Sequence, residues 1–190
     1  MKNQIEQSII SSSNLIGELT ILIPQIEQSI EAIISCLKKD KKIVLFGNGG
    51  SAADSQHIAA EMIGRFFKER QSYPAISLTT DTSILTSLGN DYSFDTIFSR
   101  QCESLVLDGD VVIGISTSGN SINVKKGLTV AKHKGAKTIG LLGNHGGTIK
   151  NIVDISLVVN SSSTPRIQEA HRVLYHIICE NVETIMEQNI

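Results

Sequence analysis

The sequence predicts an α/β protein with a doubly wound, five-stranded parallel sheet and helices on both of its faces. Short β-branched or aliphatic runs, each bounded by Gly, Asp, Asn or Ser, lie at 42–46, 75–79, 111–116, 137–142 and 154–159. Segments with helical periodicity separate these runs. Strands that alternate with helices along a chain indicate a parallel sheet that is covered on both sides.

The first predicted elements are a pair of helices within residues 1–40. Apolar side chains recur there at helical intervals, from Ile5 to Leu37. Pro24 interrupts this pattern and suits the first turn of a second helix. We interpret the lysine-rich stretch 38–42 as the solvated end of that helix, because cations complement the carboxyl end of a helix dipole.

The later helices are expected to begin where a short polar side chain can cap free backbone N–H groups. Three residues meet this condition: Ser51, Asp81 and Ser121. Gly135 is a natural helix stop, and the last helix is predicted from about Pro165 to the end of the chain. Because no linker, low-complexity tract or long repeat interrupts the sequence, we expect a single domain, with helices in 1–40 and an α/β core in 41–190.

Composition limits the classes of function open to the chain. The 190 residues are 41% hydrophobic, carry a formal net charge of −2 and include no Trp, which gives no basic, aromatic surface for nucleic acid. No signal-peptide pattern opens the sequence, and no run approaches the roughly 20 apolar residues of a membrane span. We therefore expect a cytoplasmic protein without a nucleic-acid or membrane partner. Cys36, Cys102 and Cys179 are widely spaced and odd in number, which predicts reduced, non-catalytic thiols.

Two glycine- and serine-rich loops follow predicted strands and open predicted helices. Residues 47–51 read Gly-Asn-Gly-Gly-Ser, and residues 114–121 read Gly-Ile-Ser-Thr-Ser-Gly-Asn-Ser. Such turns combine free N–H groups, the positive end of a helix dipole and small hydroxyls, which suits a phosphate dianion. The spacing matches neither a P-loop nor a GxGxxG fingerprint, so a sugar phosphate is favoured over a nucleotide. Both loops are expected to converge beyond the carboxyl ends of the strands.

Two predicted helices carry side chains suited to a metal ion. His57 and Glu61 are four residues apart and share a helix face, and Gln168 and His176 lie within about 80° of each other around the last helix. Imidazole, carboxylate and amide donors are compatible with a divalent ion of the zinc class. Each histidine alone is more often an ordinary polar helix residue. The spacing also leaves open whether His171 takes the place of Gln168 or His176.

Other polar residues permit two interpretations. Asn90 and Asp91 form a turn in the simplest interpretation, yet they end a strand-helix unit expected at the same edge of the sheet as the two loops. Arg65 either reaches a phosphate or covers a helix end. His133 and His145 are expected to be exposed helix and loop residues.

Four segments, taken in order, resemble the sedoheptulose-7-phosphate isomerases, the phosphoheptose isomerases of the sugar-isomerase (SIS) superfamily. They are residues 47–61, the Leu-Gly-Asn-Asp of 88–91, residues 114–121, and the Arg-Ile-Gln-Glu-Ala-His…His of 166–176. The resemblance covers about residues 41–180, and the N-terminal helices match only in type. Pro165 departs from the acidic or small residue that some members have, which affects only a secondary polar contact.

The resemblance implies a homotetrameric ketose-aldose isomerase. Its reaction would convert D-sedoheptulose 7-phosphate to D-glycero-D-manno-heptose 7-phosphate through an enediol, the first step toward nucleotide-activated heptose for lipopolysaccharide or capsule. The implied phosphate binders are Ser51, Ser116, Thr117, Ser118 and Ser121. The implied sugar-side contacts are Asn48, Gly49, Gly50, Arg65, Asn90 and Asp91, together with Glu61 and Gln168.

The resemblance also implies one zinc ion per subunit. The implied ligands are His57, Glu61, Gln168 and His176, and Glu61 and His176 also match the acid/base pair. The sequence leaves open whether the metal is catalytic or structural. It also leaves open an alternative function, a non-catalytic SIS protein that binds a replication initiator or senses a sugar phosphate.

Overall fold

The computed structural model describes residues 1–188 and contains, within them, one all-parallel sheet of five strands. The strands are β1 (Ile43–Gly47), β2 (Ala75–Ser77), β3 (Val111–Ser116), β4 (Lys137–Leu142) and β5 (Ile155–Val158). Their order across the sheet is β2-β1-β3-β4-β5, and each neighbouring pair is parallel. The predicted fold class is confirmed, with small shifts in the strand ends.

The helices include the predicted N-terminal pair. They are α1 (Lys2–Glu18), α2 (Ile23–Leu37), α3 (Gly50–Ile63), α4 (Thr82–Asp91), α5 (Ile97–Leu105), α6 (Ile122–His133) and α7 (Thr164–Gln188). A 3₁₀ turn at Leu19–Leu22 joins α1 to α2, and Pro24 lies in the first turn of α2 as predicted. Gly135 follows α6 with φ of 83°, the left-handed conformation in which helices end.

Both faces of the sheet are buried under helices. Because successive strand residues point to opposite faces, Leu45 and Ile113 pack in one apolar cluster and Val44 and Val112 in the other. The first cluster includes side chains of α2, α3 and α7, and the second includes side chains of α5 and α6. This arrangement accounts for strands that are apolar at nearly every position.

The N-terminal helical segment amends one expectation from the sequence. Lys2–Leu37 is long and apolar enough to span a membrane, with a mean hydropathy of 1.3 over 18 residues, although core helices pass the same test. The apolar side chains of α2, among them Ile26 and Ile30, are buried against the rest of the protein. α1 buries none of its residues, and Ile5 and Ile9 are exposed. The apolar character of α2 is therefore explained by the core, whereas that of α1 is not.

The structure corrects two of the three predicted helix caps. Asp81 does cap α4, because its Oδ1 accepts a backbone N–H of the first turn at 2.9 Å. Ser51 lies inside α3, whose N-cap is Gly49 with φ of 55° and ψ of −120°, a conformation that favours glycine. Ser121 is the N-cap of α6, but its Oγ lies 3.0 Å from Ser116 Oγ and accepts no helix N–H.

The segment between β2 and β3 also differs from expectation. The sequence indicated one helix start there, at Asp81, but α4 ends at Asp91 and α5 follows after a 3₁₀ turn at Phe94–Thr96. Asn90 and Asp91 are the last residues of α4, so their simplest interpretation as a turn is wrong.

Candidate functional site

The two glycine- and serine-rich loops lie side by side at one edge of the sheet. β1 and β3 are neighbours, with Gly47 opposite Ile115, so the loops at 47–51 and 116–121 leave the sheet together. β2 lies beyond β1, whereas β4 and β5 lie beyond β3, so the strand order reverses direction at this pair. Open α/β sheets bind their ligands in the crevice at such a reversal.

A pair of amide side chains joins the first loop to the first turn of α6, which follows the second loop directly. Asn48 Nδ2 donates to Asn123 Oδ1 at 2.9 Å, and Asn123 Nδ2 donates back to Asn48 Oδ1 at 2.9 Å. The side chain of Asn48, for which the resemblance implied a sugar contact, therefore fixes the first loop to the start of α6. Sequence reasoning missed Asn123, because its partner is 75 residues away.

The loop after β4 supports the second of these loops. Asn144 Nδ2 donates to the carbonyl of Thr117 at 3.1 Å, and the N–H of Ile149 donates to the carbonyl of Gly119 at 3.0 Å. Gly119 has φ of 67°, and any Cβ there would collide with the backbone of Gly146. Fixed contacts of this kind hold a binding loop in shape before a ligand arrives.

Small hydroxyls and helix N-termini meet in these loops. Ser116 Oγ lies 3.0 Å from Ser121 Oγ and 3.4 Å from Ser118 Oγ, with Ser116 buried and Ser118 exposed. The side chain at the N-cap position, Gly49 in α3 and Ser121 in α6, accepts no N–H group of its helix. In the first turn of α6, Asn123 Oδ1 accepts the N–H of Val124 at 2.9 Å. A helix N-terminus without an N-cap side-chain bond, next to small hydroxyls, suits an anion.

An imidazole, a carboxylate and a second imidazole converge where α3 packs beside α7. One ligand atom each from His57, Glu61 and His176 lies within 4.8 Å of the others, and all three residues are half-buried. His57 Nε2 lies 2.9 Å from Glu61 Oε1, which is hydrogen-bond distance. The rings of His57 and His176 are edge to face, with centroids 5.2 Å apart. We call these three residues the His-Glu-His group.

The electrostatics of the group disfavour a charged His176. Burial and the neighbouring His57 lower the pKa of His176, and Glu61 offsets this effect only in part. The ring is therefore neutral at neutral pH. A neutral imidazole has one N–H donor and one bare nitrogen, so it can both give and take a proton.

A polar network that sequence reasoning missed lies behind His57. The hydroxyl of Tyr175 lies 3.3 Å from His57 Nδ1 and 3.4 Å from Asp54 Oδ1, and Arg172 Nε donates to it at 3.1 Å. Burial, with the carboxylate of Asp54, raises the pKa of Tyr175 to about 12, so the hydroxyl stays protonated. The signals in the sequence were weak: Asp54 lies one helical turn before His57, and Tyr175 lies next to His176.

Helix α7 carries two further candidate residues, Gln168 and His171. Gln168 is about two helical turns before His176, and its amide lies so close to Gly50 that a Cβ on Gly50 would collide with it. His171 is fully buried, and neither ring nitrogen makes a hydrogen bond of standard geometry within residues 1–188. His171 therefore does not replace His176, and the metal role of Gln168 stays a prediction.

The remaining sugar-side candidates lie on the surface of the chain. The Arg65 side chain is 59% exposed, with its Nε 3.6 Å from Glu69 Oε2. Asn90 Nδ2 donates to Asp91 Oδ1 at 2.8 Å, and both residues are exposed. No hydrogen bond or ion pair between described residues joins these three to the loops or to the His-Glu-His group.

A buried ion pair holds the segment after α3 against α7. Both oxygens of Glu183 accept backbone N–H groups, from Phe66, Phe67 and Lys68, at 2.7–2.9 Å. Arg70 Nε donates to Glu183 Oε1 at 2.9 Å, and Arg70 Nη2 donates to the carbonyl of Glu61 at 2.9 Å. The pair therefore links the backbone of Glu61 to the helix that carries His176.

Other reactive residue types lie outside the site. His133 and His145 are exposed, as predicted. The three cysteines are free and buried, and burial raises the pKa of Cys36 to about 11 and those of Cys102 and Cys179 to about 12. Thiols with such raised pKa values are poor nucleophiles, which agrees with the prediction that they are not catalytic.

Comparison with known proteins gives consistent matches. The model of the SIS domain matches residues 13–143. The phosphoheptose isomerase of Citrifermentans bemidjiense is 52% identical over 183 residues, which are 96% of this chain and 94% of that protein. The structure of phosphoheptose isomerase GmhA from Neisseria gonorrhoeae superposes with a TM-score of 0.92 at 41% identity, covering 96% of this chain and 98% of that one. A phosphoheptose isomerase from Francisella tularensis also has a TM-score of 0.92, at 34% identity, covering 96% and 97% of the two chains.

These matches extend over nearly the whole chain and agree with the resemblance seen in the motifs. None of them favours the non-catalytic alternative. The chain belongs to the SIS-domain family and, within it, to the phosphoheptose isomerases.

Proposed function

We propose that this chain interconverts D-sedoheptulose 7-phosphate and D-glycero-D-manno-heptose 7-phosphate, the first step toward nucleotide-activated heptose for lipopolysaccharide or capsule. The observation that carries the proposal is the convergence of His57, Glu61 and His176 in a chain that belongs to the phosphoheptose isomerases. The N-termini of α3 and α6, whose N-cap side chains accept no helix N–H group, support a phosphate site beside the sheet.

Moving the carbonyl from C2 to C1 of the sugar requires proton transfers at carbon and at oxygen. The carboxylate of Glu61 takes the proton from C1, which gives an enediol, and returns it to C2. His176 first gives its N–H proton to O2, and the same nitrogen then takes the proton of the O1 hydroxyl, so its other ring nitrogen stays available for a metal ion. The neutral state of His176 leaves one N–H proton and one bare nitrogen for these two roles.

The substrate is held at both ends. The phosphate contacts that we propose come from Ser51, Ser116, Thr117, Ser118 and Ser121. The sugar contacts that we propose come from Asn48, Gly49, Gly50, Glu61, Arg65, Asn90, Asp91 and Gln168. The contacts among Ser116, Ser118 and Ser121 support the first set, because they gather hydroxyls at the N-terminus of α6.

The His-Glu-His group fits a divalent ion of the zinc class. Its donors are imidazole nitrogens and a carboxylate oxygen, and their mutual distances of at most 4.8 Å suit one shared ion. We propose His57, Glu61 and His176 as ligands, with the weaker amide donor Gln168 as the fourth. A bound zinc ion would polarise the sugar carbonyl or brace α3 against α7.

The zinc assignment is tested by elemental analysis of protein expressed with added zinc. Wild-type protein is expected to carry up to one ion per chain, and the His57→Ala/His176→Ala double variant is expected to carry none. Zinc should also raise the thermal midpoint of the wild type alone, since it binds only the folded state. Equal metal content in the two proteins would leave Glu61 and His176 as a metal-free acid/base pair.

The activity is tested by incubating purified protein with sedoheptulose 7-phosphate and following the appearance of the aldose. We expect turnover by the wild type and almost none by Glu61→Gln at the same concentration. Tight binding of the ketose without any turnover would favour the non-catalytic alternative instead.

We also propose a cytoplasmic homotetramer. The apolar side chains that α1 exposes support an assembly, because such residues on one helix are normally covered. They are Ile5, Ile9, Ile10 and Ile16. Light scattering coupled to size exclusion should give about four times the chain mass of 20.6 kDa, and a monomer at micromolar concentration would contradict the assembly.

A further inference from the structure

The hydroxyl of Tyr175 lies where it can control the ring of His57. Tyr175 is buried, so its phenol ring cannot move away, whereas the His57 side chain is 39% exposed. The ring of His57 packs edge to face against Tyr175 and His176, with centroids 5.5 and 5.2 Å away, but one side of it is open to solvent. Its hydrogen bonds, with Glu61 at Nε2 and with Tyr175 at Nδ1, therefore add to what fixes its orientation.

The Tyr175 hydroxyl has one proton and two acceptor positions. Arg172 Nε donates into one acceptor position at 3.1 Å. The hydroxyl proton then has two acceptors within reach, His57 Nδ1 at 3.3 Å and Asp54 Oδ1 at 3.4 Å. Which acceptor receives it depends on which nitrogen of His57 carries the ring proton.

This arrangement gives His57 Nδ1 a hydrogen-bond partner in both neutral forms of the ring. When Nε2 carries the proton, it donates to Glu61 at 2.9 Å, and the bare Nδ1 accepts the Tyr175 proton. When Nδ1 carries the proton, it donates to the second acceptor position of Tyr175, and Tyr175 donates to Asp54. In the second form the bare Nε2 faces the His-Glu-His group and is free to bind a metal ion.

We propose that Tyr175 is a positioning residue that holds His57 in both forms, so that binding of a divalent ion leaves no hydrogen bond of His57 Nδ1 unmade. The inference rests on the proposed metal role of His57. Asp54, which is itself buried, is the last acceptor in the chain of hydrogen bonds from His57 Nδ1 through the Tyr175 hydroxyl. Outer hydrogen bonds of this kind orient a metal-binding imidazole, and their loss typically weakens metal binding by about 10- to 100-fold.

The test compares two tyrosine variants that each lose only a hydroxyl. Tyr175→Phe removes the group that faces His57. Tyr73→Phe is the matched control, because Tyr73 is also buried but its hydroxyl bonds to Glu187 at 3.0 Å, outside the His-Glu-His group. Zinc affinity is measured by competition with a chromophoric chelator, and thermal midpoints are measured without metal.

We expect Tyr175→Phe to bind zinc about tenfold or more weakly than the wild type, and Tyr73→Phe to bind it within about twofold. The metal-free thermal midpoints of the two variants should fall by similar amounts, so a general loss of stability cannot explain the difference. Equal zinc affinity in Tyr175→Phe and the wild type would overturn the inference.

A second arm separates this inference from the proposed metal role. If the wild type binds no zinc, the metal role fails, and zinc-free crystal structures of the wild type and of Tyr175→Phe decide the positioning role. We expect the His57 ring to change its orientation in the variant, because Nδ1 has then lost its partner. A ring that keeps its position without the Tyr175 hydroxyl would overturn the inference.

Discussion

The helices on the two faces of the sheet are held by different kinds of contact. On the face covered by α5 and α6, Phe98 stacks on Phe46 with ring centroids 4.8 Å apart, and Leu128 is fully buried in the same apolar cluster. On the face covered by α3 and α7, a buried ion pair and a tyrosine-centred network accompany the apolar contacts. We call these the apolar layer and the polar layer.

The difference indicates that the polar layer is built for geometry more than for stability. Burying charged groups removes their hydration, and a buried ion pair stabilises a fold little more than apolar residues of the same volume. Glu183 and Arg70 nevertheless fix the backbone next to Glu61 against the helix of His176. The buried polar side chains of α5 and α6, among them Gln101 and Asn123, are uncharged, and apolar burial holds most of the apolar layer.

The largest expected effect is that a change in the polar layer lowers activity, whereas a change in the apolar layer lowers stability. Glu61→Gln keeps the side-chain shape and removes the base, so turnover of sedoheptulose 7-phosphate should fall by about 10² to 10⁴ with the fold retained. Leu128→Ala in the apolar layer should do the reverse. Its free energy of unfolding should fall by about 2–5 kcal/mol, with kcat unchanged well below the thermal midpoint. Near-native turnover by Glu61→Gln would mean that another residue is the base.

The second effect tests the ion pair of the polar layer. Glu183→Gln leaves the charge of Arg70 buried without its partner, which should lower the free energy of unfolding by about 3–5 kcal/mol in urea titrations. The control is Glu103→Gln, which breaks an exposed pair with Arg100 and should change stability by less than about 1 kcal/mol. Equal effects of the two changes would show that the buried pair contributes no more than a surface pair.

The carboxylate of Glu183 also makes the stability of the polar layer depend on pH in acid. Burial alone would raise the pKa of Glu183, but the N–H groups of Phe67, Phe66 and Lys68 and the guanidinium of Arg70 outweigh it and lower the pKa below the ordinary 4.5. The stabilisation by Glu183 is therefore present above pH 4.5 and is lost as the pH falls through the lowered value. Stability of the wild type should fall more steeply below pH 4.5 than that of Glu183→Gln.

A third effect concerns the loops at the edge shared by both layers. Ser118→Asp places a carboxylate where we propose that the phosphate binds, and like charges repel strongly in a binding site. The KM for sedoheptulose 7-phosphate should rise by at least about tenfold, while the thermal midpoint moves little because Ser118 is exposed. Ser72→Asp, at an exposed loop position before β2, should leave KM unchanged. An unchanged KM in Ser118→Asp would place the phosphate elsewhere.

What the sequence could predict depended on the distance along the chain between interacting residues. The pair of His57 and Glu61 follows from helix periodicity, because four residues bring side chains to the same face. The loop positions followed from strands that alternate with helices. The contact of Tyr175 with His57 spans 118 residues, and that of Arg70 with Glu183 spans 113, so no local pattern announces either.

The errors have a related cause. Ser51 and Ser121 are good capping residues by type, but unlike Asp81 neither of them accepts an N–H group of its helix. Gly49 takes the N-cap of α3 in a conformation that serine rarely adopts, and the hydroxyl of Ser116 lies at Ser121. Local preference was overridden in both loops that we propose bind the phosphate, which is where a fold departs from its local rules.

The smallest expected effect concerns His171, a buried imidazole of the polar layer that the proposed reaction does not use. Burial lowers its pKa below the ordinary 6.5, and neither the backbone of Leu142 nor the carboxylate of Asp54 compensates. Below about pH 6.5 the unfolded chain therefore binds a proton at His171 that the folded chain does not bind. The free energy of unfolding should fall as the pH drops from 6.5 toward the lowered pKa, by at most about 1.4 kcal/mol per pH unit.

His171→Leu removes the imidazole that binds this proton in the unfolded chain and replaces it with an apolar side chain that can be buried. The stability of the variant should therefore depend less on pH between 6.5 and 5.5 than that of the wild type. His133→Leu is the control, because His133 is exposed. Urea titrations at half-unit pH steps measure the three slopes. His176 has a lowered pKa as well and keeps its own contribution in all three proteins, so only the difference in slope reports on His171. Parallel curves for the wild type and His171→Leu would mean that His171 is no more resistant to protonation when folded than when unfolded. The buried imidazole of the polar layer would then make no contribution to the loss of stability in mild acid.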